Sequence, residues 1–572
     1  MRKNDAGSTG RTKSFTELLK KYKFSLFFLV LLIIIVSTIT YFRIRVQMDM
    51  GPISDSFDFL SNALVYAGQG MGYSDLLRPP FFGFLISLVF RMGYISTNVV
   101  FYMDGFLFIL GVISLYFLLK IRFNDLESFI GALLYATFPI VVTTLGVGFS
   151  DLASVSFTIW AILFTVMAVK KDSKYFYLSF PLLMIAFLTR YNNALLLFPV
   201  FLYLLINKDK INFKQIIGGV GVSILVVVPV LIFFYQQFGN IIYPFINFGS
   251  SSAAITGSAE TFAYNSNIFY FVQYFPSLVG FQGTFIILII LLGGIFLVLY
   301  NLLKKGGLPF GAVKLALYNR LYLIKTVIFF LILIIFLGTF GKLFYMMSEV
   351  LFFIIAYLIY DLTRNLKIKH LNLHLLFFTW FMAFFIFNSI FVMKDLRYFV
   401  MMAPPVAYFM ILGLSEISRR IPLKYKNHNI VFPTIAVLLT IFMLLSTASH
   451  IPEILQTNND KLIINNELKE SSQWFMSYDP NYKNQNIYSD LGPNYSWYLQ
   501  TDVKTVPVFK DNQTFANGVK NETFNQADSD QYNNFLITNN ADYYLCLRDG
   551  INLHSYTLIK QIGDVKIYKR NT

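Results

Sequence analysis

The residues in this chain best suited to chemistry are acids and arginines set beside long apolar runs. The stretch PISDSFDFLSNALVYAGQGMGYSDLLRPPF, residues 52–81, carries Asp55, Asp58, Asp75 and Arg78 directly after a run long enough to cross a membrane. Asp151 follows TTLGVGFS, Arg190 stands in LTRYNNA, and Arg397 stands in VMKDLRYFVMMAPP, each in a short turn between apolar runs, with Pro404 and Pro405 expected to break the helix after Arg397 near mid-membrane. A charge so close to hydrocarbon is costly unless it is paired or lines a wet cavity. Each arginine alone reads equally well as a residue snorkelling to the interface. Together, arginines supply forked, permanently charged donors to a phosphate, and a carboxylate can take the proton of an attacking hydroxyl. That set suits the joining of an acidic lipid headgroup to a nucleophile. The chain has no nucleotide-binding glycine loop, no HExxH motif and no soluble cytosolic domain, so the transferred group has to arrive within the membrane.

The first acidic stretch has helical spacing. Asp55, Asp58 and Asn62 share one face, with Phe57, Leu60, Leu64 and Ala67 on the neighbouring stripe. Such a helix lies along the interface with its acids turned to water or to protein. Ser54 is placed to cap it, Asp55 in the first turn gains from the helix dipole, and Gly68, Gly70 and Gly72 stop it. Asp75 reads as a loop residue that helps to place Arg78. The plainer alternative is a solvated polar face on an amphipathic helix.

The elements that must hold these residues are membrane spans. Hydrophobic residues make up 56% of the 572 residues, aromatics 18% and charged residues only 13%. Runs of about 20 apolar residues, the length that crosses hydrocarbon as a helix, recur from Phe24 to Leu445. Thirteen spans are expected, near 24–42, 99–119, 126–148, 152–169, 175–189, 193–206, 215–238, 276–300, 326–341, 344–360, 372–393, 399–416 and 429–447. The first reads as a retained anchor rather than a signal peptide, because its apolar stretch is long and no small-residue cleavage pattern follows. PPFFGFLISLVFRMGY, 79–94, is marginal in length and interrupted by Arg91, so it is expected to be interfacial or partly embedded.

Charge sets the topology. With the N-terminus inside, the tail and the loops expected on the same side hold 27 Lys and Arg, against eight in the outer loops between spans. That is the bias expected of cytoplasmic loops. It puts the 43–98 loop outside and accounts for a net charge of +15 without nucleic acid, since no soluble element carries a continuous basic face. The domains read as a cytoplasmic tail, 1–23, a transmembrane domain, 24–450, and a polar domain, 451–572. The last has helical spacing in NELKESSQWFMSY and strand-like QNIYSD, KTVPVF, DYYLCLR and DVKIYK. A small extracytoplasmic α/β domain is expected, in agreement with three Asn-x-Ser/Thr sequons. The single cysteine, Cys546, excludes an intramolecular disulfide, and Cys546 and His554 read as a core and a surface residue.

An outer first loop opening with an acid, then RPP, then FSDLASVSF and finally LRYFVMMAPP resembles the GT-C membrane glycosyltransferases. The nearest branch is glycosyltransferase family 39, the protein O-mannosyltransferase and aminoarabinose transferase type. The resemblance implies a polyprenyl-phosphate sugar donor and transfer to an acceptor hydroxyl of a lipid, glycan or protein on the outer face of the cell membrane, with inversion. It implies Asp55 as the base that activates the acceptor and Asp151 as the second-loop acid. Arg78, Arg397 and Arg190 would lie toward the donor phosphate, with Asp58, Asn62 and Tyr398 in support. Family members often carry Asp-Glu at the first site; here it is Asp55-Ser56, which makes Asp58 a candidate substitute. The oligosaccharyltransferase branch fits less well, since its Trp-Trp-Asp signature is absent and Trp160, Trp380, Trp474 and Trp497 are isolated. No cofactor is required by these motifs, and a divalent metal stays an open alternative, because His450 and the scattered acids do not form a ligand set. The rival reading is a transporter or flippase of a lipid-linked glycan. Transporters generally show repeated halves and midplane charges, whereas here the charges gather at one face.

Overall fold

The structure, a computed structural model, describes residues 15–248, 259–261, 264–305, 320–366, 368–421, 423–425, 428–515 and 518–571. The basic tail up to residue 14 and most of the basic loop at 304–325 therefore lie outside the described residues.

Among the described residues nine helices are long and apolar enough to cross a membrane, and they coincide with nine of the thirteen expected spans. The other four segments are helical but shorter or interrupted. The expected 126–148 span is two helices, α5 (Asp125–Ala136) and α6 (Pro139–Thr144), in this chain order after α1 (Phe15–Met50), α2 (Asp55–Tyr66), α3 (Pro80–Arg91) and α4 (Asn98–Leu119). Pro139 explains the interruption, since it cannot donate a backbone hydrogen bond into a continuing helix. Next come α7 (Ser150–Lys170), α8 (Phe176–Thr189) and α9 (Leu197–Ile206).

Three expectations change. First, α1 continues to Met50, so Arg43 is not a loop charge. It is 1% exposed and donates from Nε to Val142 O at 3.1 Å and from Nη2 to Thr143 O at 3.0 Å and Gln47 Oε1 at 3.0 Å. Second, Ser54 stands at the N-terminus of α2 without capping it. At φ 45° its hydroxyl donates to Asp55 Oδ1 at 3.4 Å instead of accepting a backbone N–H. Third, Pro404 and Pro405 open the helix Ala403–Arg420 rather than breaking it near mid-membrane. At these first positions the missing N–H has no partner to lose and the fixed φ suits the helix.

The loop after α1 is packed, not draped. Phe57, Phe59, Leu60 and Leu64 of α2 join Phe82, Ile86 and Phe90 of α3, Val100 and Phe101 of α4 and Trp497 in one core. Each such side chain contributes about 1.5–3 kcal/mol on leaving water. At 12 residues α3 is about 18 Å long, short of the roughly 30 Å of hydrocarbon. Ala67 closes α2, and Gly68, at φ +79°, turns the chain away. Gly72 has φ +103° and lies against Asp502, where a Cβ would come within 2.6 Å of the Asp502 Cβ.

The C-terminal residues form a five-stranded sheet in the order Val503–Thr505, Ile487–Ser489, Tyr543–Cys546, Val565–Arg570, Tyr556–Ile562. The first three strands pair in parallel, with Ile487 opposite both Val503 and Tyr543, and the last two are antiparallel. The central strands Ile487–Ser489 and Tyr543–Cys546 are buried throughout, as befits strands covered on both faces. The expected strands are present within this part, and Tyr556–Ile562 is an additional edge strand. Cys546 is buried and His554 exposed.

Candidate active site

The acids and arginines converge through four separate elements. Asp55 opens α2. Arg78 precedes Pro79 and Pro80, which start α3. Asp151 is the second residue of α7, and Arg397 lies in the 3-10 turn Leu396–Met401 that leads into Ala403–Arg420.

Asp55 is clamped between two guanidiniums. Its Oδ1 accepts from Arg78 Nη2 at 3.2 Å and its Oδ2 from Arg397 Nη1 at 2.9 Å, although Arg397 is 342 positions away in sequence. Arg78 is itself surrounded: Nη2 lies 2.6 Å from Asp58 Oδ2, and Nε lies 2.9 Å from Asp75 Oδ2 without the alignment to donate to it. Asn62 does not face the cluster. Its side chain exchanges two bonds with the Asp75 backbone, Nδ2 to O at 2.8 Å and Oδ1 from N at 2.9 Å, and so fixes the loop that carries Arg78.

A second pair stands beside the first. Asp151, 1% exposed, accepts from Arg190 Nη1 at 2.5 Å. Tyr398 separates the two arginines, its ring lying 5.1 Å from the Arg190 guanidinium and 5.6 Å from that of Arg397, and Arg397 also sits 4.6 Å over Phe149. These are cation–π distances.

The electrostatics divide the two acids of α2. Burial acts to raise the Asp55 carboxyl, but Arg78 and Arg397 overcome it and hold Asp55 well below the usual carboxylate range. Burial raises Asp58 to about 6 against the pull of Arg78 and the Tyr73 hydroxyl, which donates to Asp58 Oδ1 at 2.6 Å. Burial also acts to lower Arg78, yet Asp55, Asp58 and Asp75 keep it above its ordinary value. The Asp55 side chain is 22% exposed and that of Asp58 9%, so of the two carboxylates Asp55 is the one an acceptor can reach. With only two arginine bonds and a long one from Ser54, it also keeps unused acceptor capacity.

Four participants escaped sequence reading. Tyr73 lies in a glycine-rich loop that carries no pattern. Asp395 turns the chain so that Arg397 points at Asp55: its Oδ1 accepts from Arg397 N at 2.9 Å and its Oδ2 lies 3.0 Å from Arg397 Nε. Phe149 had no signal of its own. Asp104 did, as an acid within an apolar run. It is 1% exposed in α4 and accepts from Gly146 N at 2.8 Å, while Ser56 Oγ donates to Val147 O at 2.8 Å. Those bonds fix the turn that delivers Asp151. Among the described residues no group of three or more His, Cys, Asp and Glu stands together in a metal-holding arrangement. His450 bonds Thr143 Oγ1 through Nε2 at 3.0 Å.

Residues 77–233, which include Arg78, Asp151 and Arg190, match the family described as dolichyl-phosphate-mannose-protein mannosyltransferase. The fold is similar to that of ArnT from Cupriavidus metallidurans, solved bound to undecaprenyl phosphate, with 12% identity, a TM-score of 0.56, and coverage of 94% of this chain and 97% of that one. The chain resembles the GT-C membrane glycosyltransferases. It is also similar in fold to the Archaeoglobus fulgidus oligosaccharyltransferase, with 13% identity and a TM-score of 0.53 over 92% of this chain and 70% of that one. The fold is thus common to both branches of the class, and the absence of a Trp-Trp-Asp sequence remains what separates this chain from the second. No curated protein sequence matches the chain.

Proposed function

We propose that this protein transfers a sugar from a polyprenyl-phosphate donor to an acceptor hydroxyl at the outer face of the cell membrane, with inversion. The observation that carries the reading is the Asp55 carboxylate shared between Arg78 and Arg397. A phosphate is the ligand that competes best for those forks. As the donor phosphate takes up Arg397 and Arg78, Asp55 loses the charges that hold its basicity down and becomes able to accept a proton. The acceptor O–H then gives its proton to Asp55, and its oxygen forms a bond to the anomeric carbon. The bond from that carbon to the phosphate oxygen breaks, and the electron pair leaves on the phosphate, where the two arginines stabilise it. Asp151, locked to Arg190, orients the sugar or acceptor. Asp58, held by Tyr73 and Arg78 and nearly closed to solvent, positions Arg78.

The similar enzyme solved with undecaprenyl phosphate and the family match across Arg78, Asp151 and Arg190 support a lipid-phosphate donor. The uneven distribution of Lys and Arg between loops supports a cytoplasmic N-terminus and an outer C-terminal domain. The test is to supply membranes holding the wild-type chain or Asp55→Asn with a radiolabelled polyprenyl-phosphate sugar. Donor cleavage and label on an acceptor are expected for wild type, with loss of both in the variant. Full activity of the variant would overturn the base assignment, and lipid movement across the bilayer without cleavage would favour a flippase.

A further inference from the structure

The same helix that presents Asp151 at its first turn ends on a second, differently charged site. From Ser150 to Lys170, α7 is 21 residues and about 30 Å long, so the two sites lie a membrane's thickness apart. At the far end a cavity of about 320 Å³ opens between α7, α9, and the helices Tyr345–Thr363 and Leu371–Ile390. Buried Tyr203 and Asn207 line its depth, exposed Lys170, Lys210 and Arg364 its rim, and half-buried His370 stands beside them. Among the described residues its lining contains no acid.

The charge there is nearly uncompensated. Lys170 and Lys210 have no carboxylate partner among the described residues. Arg364 has Asp361 at 3.2 Å, but Asp361 is shared with Lys325 at 2.5 Å. Burial and the neighbouring charges of Lys170, Arg122 and Lys369 push His370 down to about 4, as expected where positive potential has no local answer. Asn207 is fixed by its own bonds, Nδ2 to Tyr203 O at 2.8 Å and Oδ1 from Asn372 Nδ2 at 2.7 Å. A concave basic rim over an ordered polar floor is an anion cradle rather than a solvated face. Val169, Leu371 and Leu373 complete the wall with apolar surface.

We propose that this cavity binds a phosphate group at the membrane face opposite the Asp55 cluster, with Lys170 and Lys210 as its main anchors and Arg364 and His370 in support. The phosphate comes either from an acidic lipid headgroup or from a free phosphate in solution. The proposal is independent of the sugar-transfer reading.

The experiment uses the full chain in detergent, titrated with short-chain phosphatidic acid, with phosphatidylcholine of the same chains, and separately with inorganic phosphate, and read by native mass spectrometry and thermal melting. Phosphatidic acid or phosphate should bind and raise the melting temperature, and phosphatidylcholine should not. Each interfacial lysine contributes about fivefold, so Lys170→Gln with Lys210→Gln should weaken binding about thirtyfold. Lys170→Arg with Lys210→Arg should retain binding, and Lys461→Gln with Lys483→Gln, in the C-terminal domain, should leave it unchanged. A response to phosphatidic acid alone identifies a lipid source, and a response to inorganic phosphate a soluble one. If the double glutamine variant fails to fold, Lys210→Gln alone, on the exposed rim, should weaken binding about fivefold. Equal affinity in wild type and the lysine-to-glutamine variants for both probes would overturn the site.

Discussion

Two carboxylates tie the early part of this chain to the segment around residue 400, and they are treated in opposite ways. Glu127, in α5, is saturated: Oε2 accepts from Asn124 N at 3.1 Å, Oε1 from Ser415 Oγ at 2.5 Å, and Arg419 Nη2 bonds both oxygens at 2.9 and 3.2 Å. It is 3% exposed, and its arginine reaches water at 46%. Asp55 is the reverse, an accessible acid with few donors, set among arginines only 17–20% exposed. Both ride on the same later element, since Arg397 lies just before the helix Ala403–Arg420 and Arg419 near its end. A filled carboxylate with a solvated partner is a clip that fixes helix position. A half-filled carboxylate with a surplus of enclosed donors is poised for a ligand.

The contrast can be broken by mutation. Asp55→Asn should lower sugar transfer by about 10²–10⁴, the usual worth of a positioned base, while leaving the amount of folded protein near wild type. Sugar release from a labelled lipid donor measures it. Arg397→Lys keeps the charge but loses the fork, so the donor KM should rise about tenfold, and Arg397→Gln should raise it further. Glu127→Gln should do the opposite. Stability should fall by about 1–2 kcal/mol, read as a lower melting temperature, with turnover per folded molecule unchanged. The discount from a fully buried pair reflects the solvated Arg419.

The last effect is read only against pH, at Asp58. Its carboxyl is raised from an ordinary value near 4 to about 6 in the folded chain. Stability therefore has its full contribution from this group below about pH 4 and loses it as pH rises to about 6, at up to about 1.4 kcal/mol per unit. Asp58→Asn should flatten that part of the melting-temperature profile. An unchanged slope would mean that Asp58 is not the group that titrates there.

Much of this could be read before any coordinates, and for identifiable reasons. Residues near Asp55, Arg78, Asp151, Arg190 and Arg397 could be placed at one membrane face because Lys and Arg are distributed so unevenly between loops. Their pairing could not, because 342 residues separate Asp55 from Arg397 and no local pattern encodes that contact. Pro404 and Pro405 misled because proline has one meaning inside a helix and another at its first turn, and the turn is made by Leu396–Met401. Arg43 looked like a loop charge because its partners are backbone carbonyls about 100 positions away. The strand Tyr556–Ile562 was hidden by its polarity, since an edge strand exposes most of its side chains.

The loop bearing Asp55 also rests on the last part of the chain. Asn465 donates to Met50 O at 2.9 Å and accepts from Tyr498 at 2.5 Å, while Tyr498 and Trp497 lie 5.8 and 6.3 Å from Phe57 and Phe90. During synthesis the loop therefore waits for about 400 more residues, which at roughly 5–20 residues per second is about 20–80 s. A chain arrested before that point carries its acids and arginines but lacks the roof that packs them.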